Sequence, residues 1–157
     1  MFVYSVRAST VKFFAVIALT VAVLVGAIAI GNSHAVAASG TAGIKFSGIK
    51  TNEDRIEFIS QFGVDVTGEP TETVTFSVPE NFDKVIAGYN EIQKAQGLNL
   101  EKYKNKKVTR YTYEIDKWAD YEGPVCVNLI IYRSTVVACD ISSKDPTGFV
   151  EPLVKLN

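Results

Sequence analysis

VCVNLIIYRSTVVACDISS, residues 125 to 143, is the stretch that decides the fold. Val125 to Tyr132 and Thr135 to Ile141 are two runs rich in β-branched residues, separated by the two residues Arg133-Ser134. Strands joined by a two-residue connection read as an antiparallel hairpin. Both faces of the hairpin are apolar, which places it in the middle of a sheet rather than at its edge. With Tyr132 opposite Thr135, simple alternation sets Cys126 against Ile141 and Cys139 against Asn128. The two sulfurs then share a sheet face but lie diagonally, near the upper limit of disulfide reach. The expectation is two buried free thiols, with a Cys126–Cys139 disulfide disfavoured. No C-x-x-C occurs, and neither His nor a helix start lies close by to favour a thiolate.

Outward from the hairpin, Lys107 to Ile115 alternates, with Thr109, Tyr111, Tyr113 and Ile115 on one face. Before it, Phe82 to Gln96 reads as a helix with Val85, Ile86, Tyr89 and Ile92 as its apolar stripe and Lys84, Asn90, Glu91 and Lys94 opposite. Gly97 ends it, and Leu98 to Lys106 is turn-like. Thr71 to Val78 and Val64 to Val66 alternate around the turn Gly68-Glu69-Pro70, as a second antiparallel pair would. An earlier helix opens at Thr51, with Asp54 in the capping-box position, and stops at Gly63. Its residues Ile56, Phe58, Ile59 and Phe62 fall within about 160° of its circumference. These elements predict an α+β domain over 49–157: an antiparallel sheet of about five strands with two main helices packed on one face.

The N-terminal third has a different composition. Phe13 to Gly31 is an uncharged apolar run, preceded by Arg7 and Lys12 and followed by no charge until Lys45. Nineteen residues at about 1.5 Å each match the roughly 30 Å of a bilayer core. Cations before the run and none just after it predict a cytoplasmic n-region over 1–12, a single membrane span over 13–31 and an extracytoplasmic remainder. The triplet Ala35-Val36-Ala37 keeps open the alternative of a cleaved signal and a secreted product. Residues 32–48, small and Gly/Ser-rich, read as a flexible tether.

Setting aside Arg7 and Lys12 leaves 14 cations against 17 acids, so the exported part carries about −3. That charge suits solubility and does not point to nucleic acid. The chain's one histidine, His34, precedes the domain. The domain therefore has no Ser-His or Cys-His nucleophile and no His-ligated metal site, and no catalytic residue or cofactor is expected. Carboxylate pairs such as Glu53/Asp54, Glu69/Glu72 and Asp120/Glu122 sit at caps and turns, where solvation or capping explains them. Two features suggest contact with a partner. Lys102, Lys104, Lys106, Lys107 and Arg110 crowd the approach to the Lys107–Ile115 strand. Trp118 and Tyr121 lie in the polar connection Asp116 to Pro124. A patch of Trp118 and Tyr121 flanked by Lys104, Lys106, Lys107 and Arg110 is the expected contact surface.

The order of segments carries a resemblance. ISQFGVDV, then VPENFDKVIAGYNEIQKAQGLNLEKYKNKKVTRYTYEI, then VNLIIYRSTVVACDISS and the terminal GFVEPL resemble the bacterial domain-of-unknown-function family 4830 over Lys50 to Leu156. Leu100 to Tyr113 is the most specific stretch. MFVYSVRASTVKFFAV resembles the anchor that precedes such domains. Val64 and Cys139 depart from the expected pattern, where a Trp and a small residue such as Gly are usual. The resemblance implies an exported, membrane-tethered domain without assigned activity, and no catalytic residues carry over. The expected role is a non-catalytic binding module at the bacterial cell envelope, taking an envelope protein or glycan as partner. The alternative is a hydrolase of envelope polymers working through carboxylates alone.

Overall fold

A computed structural model describes residues 43–115, 118, 121–145 and 148–154. The n-region, the expected span over 13–31, the tether up to residue 42 and the cleavage site near Ala37 lie outside them. Among the described residues, no helix is long and apolar enough to cross a membrane.

Helix α1 covers Asn52–Ser60, and its start is fixed as the sequence predicts. Thr51 Oγ1 accepts from the Asp54 N–H, while Asp54 Oδ2 accepts from the N–H groups of Thr51 and Lys50, each 2.8 Å away. Gly63 supplies the positive φ of 78° that ends the segment. Strand β1 is Glu72–Ser77, helix α2 Lys84–Ala95, and a 3-10 turn spans Leu100–Tyr103. Asp83 caps α2 by accepting from the N–H groups of Val85 and Ile86. Strands β2 (Lys107–Ile115), β3 (Val125–Tyr132), β4 (Thr135–Ser143) and β5 (Val150–Pro152) follow. The five strands form an antiparallel meander in chain order.

Three sequence expectations need correction. The strand pair 64–66 with 71–78 does not form: β1 pairs with β2, and the fifth strand is β5. Val64 and Val66 are buried as their alternation requires, but they pack into the core without joining the ladder. The two helices lie on opposite faces of the sheet, not on one. On one face, Phe58, Ile59 and Phe62 of α1 pack with Tyr113, Val127, Leu129 and Ile141. On the other, Tyr89 of α2 packs with Phe76, Val108, Ile130 and Ala138. The cause is the hairpin: a central hairpin apolar on both faces needs cover on both. The third correction concerns register. Ile130 pairs with Ala138 and Ile131 with Val136, leaving Val137 as a bulge. Past the bulge Cys139 pairs with Leu129 and Cys126 with Ser142, so the two cysteines point to opposite faces, both free and buried.

Residues 44–48, read from sequence as the end of a tether, lie against the domain. Phe46 stacks edge-on against Phe58 at 5.4 Å, and Ser47 bridges to Thr135. Ser134 O accepts from both Gly48 N–H and Ile49 N–H at 2.9 Å. Apolar Ile44 and Phe46 make docking favourable.

Candidate functional site

The α1 face is filled by side chains, whereas the α2 face carries a row of polar residues across the sheet. Glu72, Thr112, Asn128 and Asp140 stand at successive paired positions on β1 to β4. Period-two alternation sends all four to the α2 side, with Arg110 and Ser142 one step along their strands on the same side. They line a cavity of about 420 Å³ whose apolar walls include Ile130 and Val150.

From Thr112 to Asp140 the polar groups of this row are linked in one chain. Thr112 Oγ1 donates to Asn128 Oδ1 at 2.8 Å. Asn128 Nδ2 donates to Asp140 Oδ1 and to Ser142 Oγ, both at 2.9 Å. Tyr89 OH reaches down from α2 and donates to Asp140 Oδ2 at 2.7 Å. Asp140 is 4% exposed. Burial pushes its carboxyl above the usual carboxylate range, against the hydrogen bonds from Tyr89 and Asn128 and the charge of Arg110. Burial, followed by the charge of Asp140, pushes the Tyr89 hydroxyl well above its ordinary value. Arg110 Nη2 donates to Glu72 Oε2 in an ion pair of unequal partners: the arginine side chain is 8% exposed and the glutamate 55%. Lys144, near the mouth, pairs with Glu114 at 3.3 Å, both half-exposed. Cys126 also lines the cavity, its thiol pushed up by burial and so unsuited to act as a thiolate.

The sequence-predicted contact residues are dispersed. Lys106 and Lys107 are exposed at the start of β2, and Lys104 Nζ lies 5.1 Å from the ring centre of Phe82. Arg110 is inside the cleft, not among the solvent-facing lysines. Trp118 and Tyr121 lie beyond the far end of β2, about 26 Å of strand from Lys107. Both are half-buried and pack against the α1-side core. Tyr121 is tied further by Phe149, edge-on at 5.3 Å, and by the side chains of Ser143 and Asp145. The cations and the aromatics do not form one patch.

Of the residues that do assemble, the sequence reading singled out Arg110 only as part of a charge run, Glu72 as a turn carboxylate and Cys126 as a thiol. Asn128, Asp140 and Ser142 were missed, although a polar residue inside each of two apolar runs (VCVNLIIY and VVACDIS) was visible. Among the described residues, no group of three or more His, Cys, Asp and Glu is placed to hold a metal ion.

A family model described as "Domain of unknown function (DUF4830)" matches residues 58–141. The matched span runs from α1 through β4 and includes most of the cleft. Neither a curated protein nor a solved structure matches.

Proposed function

The chain belongs to the DUF4830 family, and on that premise we propose that it is a membrane-anchored, extracytoplasmic binding module of the bacterial cell envelope. Its ligand site is the cleft on the α2 face. The observation that carries the binding role is the cavity of about 420 Å³ floored by the Thr112-Asn128-Asp140 row. A concave site with mostly apolar walls and a few convergent polar groups is the usual form of a small-molecule site. The anchor rests on the apolar run Phe13 to Gly31 with its preceding cations.

The competing hydrolase reading is favoured by one observation, the raised carboxyl of Asp140. Carboxylate-only hydrolysis needs a second carboxylate aimed at the same bond, about 5–10 Å away. Glu72, the other acid of the row, stands three strands over, roughly 14 Å at the backbone, and is engaged by Arg110. Binding is therefore the better account.

Two experiments test this reading. Carbonate-washed membranes are expected to retain the full-length protein, with the domain open to protease added to intact cells. A soluble product beginning near Ala38 would replace the anchor by secretion. Envelope extracts passed over immobilised protein are expected to leave a bound small molecule that is lost from a folded Ser142→Tyr variant, whose ring fills the cleft. Equal retention by both proteins would remove the cleft from the function.

A further inference from the structure

The cleft already holds a carboxylate of the chain itself. Glu72 sits on the edge strand β1, more than half exposed, and its Oε2 rests on Nη2 of an arginine whose own side chain is almost fully buried. The buried partner is held in place by the sheet, while the exposed one can swing into water at the cost of one half-solvated ion pair. Such a pair is weak when one member stays hydrated.

The polar row on the cleft floor is bonded to itself. Asn128 spends both amide protons on Asp140 and Ser142, and Asp140 is held by Tyr89 and Asn128. Ser142 Oγ accepts from Asn128 and its hydroxyl bonds to the Asp140 carboxyl, so this side chain is spent as well. With the guanidinium of Arg110 and the ammonium of Lys144 at the mouth, the cleft offers donors toward an incoming group. Beyond the polar end, Ile130 and Val150 give an apolar wall.

We infer that the cleft binds a small amphiphilic carboxylate, whose acid group displaces Glu72 from Arg110 while its apolar body lies along the cleft wall that includes Ile130 and Val150. The seat on Arg110 is shaped for this head group because a carboxylate of the chain itself occupies it. Two parallel N–H···O bonds to a planar acid suit a guanidinium and not an ammonium. Glu72 is a built-in competitor that sets the affinity. The inference rests on the cleft being a ligand site, as proposed above.

The test is calorimetric titration of the purified full-length protein with 4-phenylbutyrate, 4-phenylbutyramide and 4-phenylbutylamine. The acid is expected to bind at least ten-fold more tightly than the amide. Glu72→Gln removes the competitor from an exposed edge position and is expected to tighten the acid several-fold with no change for the amide. A structural role for Glu72 would not produce that gain. Ser142→Tyr is expected to abolish acid binding. Equal binding of acid and amide, or no gain in Glu72→Gln, overturns the inference. Acid binding that survives Ser142→Tyr also overturns it, because the acid is then held elsewhere. Preferred binding of the amine, lost in Ser142→Tyr, overturns the carboxylate class and leaves the cleft as a ligand site. Binding of none of the three probes overturns the inference, and the envelope-extract experiment then decides whether the cleft binds anything else.

Discussion

The two faces of this sheet are made by the same five strands and end in different states. Against α1 the strands present Tyr113, Val127, Leu129 and Ile141, and the helix answers with Phe58, Ile59 and Phe62, so the contact is buried and filled. Against α2 the apolar contact is confined to residues such as Phe76, Val108 and Ala138, and the next paired positions are polar and open to a cavity. Even the buried polar groups differ. On the α1 side Arg55 is consumed locally: its Nε donates to Tyr113 OH at 2.7 Å and its guanidinium stacks 4.0 Å from the Tyr111 ring centre. On the α2 side Arg110 faces a cavity, with its ion-pair partner at the solvent boundary. One face supplies stability, and the other gives some of it up for a concave surface.

That contrast can be broken most directly at Phe58, which is fully buried. Phe58→Ala is expected to cost about 3–5 kcal/mol by chemical denaturation, the range for large-to-small changes in a filled core. A loss under 1 kcal/mol would mean the α1 face is not the stability core. Next comes Asp140→Ala, which strips the acceptor from Tyr89 OH and Asn128 Nδ2. A cost of about 2 kcal/mol is expected, because buried donors left unpaired are penalised more than the bond itself is worth.

Asp140→Asn sharpens the comparison through pH. A carboxyl whose folded value is raised by burial binds its proton more tightly in the folded state. Its contribution is fully present below the unfolded value and is lost as pH rises through the folded one. Stability measured across pH 4 to 8 should therefore fall less steeply in Asp140→Asn than in the wild type. A steeper fall in the variant would reverse the assigned direction. Smaller still is the turn. Arg133 and Ser134 both adopt positive φ, 45° and 65°, in a hairpin position that favours Asn-Gly. The double change Arg133→Asn, Ser134→Gly is expected to gain about 1 kcal/mol. The smallest effect is none: reductant should leave the melting temperature unchanged, since Cys126 and Cys139 point to opposite faces. A drop on reduction would contradict the observed register.

How much of this was legible follows from how local each signal is. The Thr51–Asp54 cap, the limits of β2 and the two-residue hairpin turn are set by neighbouring residues and were read correctly. Asn90 was read as solvent-facing, yet it is buried, with Oδ1 accepting from Leu100 N–H at 2.7 Å. That contact joins two elements ten residues apart and has no periodic signature. The site itself was hidden by one residue. Without the Val137 bulge Asn128 faces Cys139, and nothing gathers; with it Asn128 faces Asp140, and the polar row closes. A one-residue slip exchanges the two faces of a strand. Arg110 gave a fairer signal. It shares the parity of Val108, so a second covered face would have placed it inside.

The outer edge of β4 is covered by pieces rather than by one long strand. Phe46 O accepts from Val136 N–H at one end, and β5 pairs with Asp140 to Ser142 at the other. Between them Gln93 Oε1 accepts from Cys139 N–H and Gln96 Nε2 donates to Cys139 O, both at 2.9 Å. Two side-chain amides thus stand where a neighbouring backbone would be. Growth of one molecule upon another by strand addition needs a free edge at each end of the sheet, and among the described residues these are the six-residue β1 and the three-residue β5. Copies of this domain joined edge to edge through β1 would leave only the short β5 edges outermost. An edge of three residues is a poor template for a further strand, so such pairing favours two molecules over a fibre.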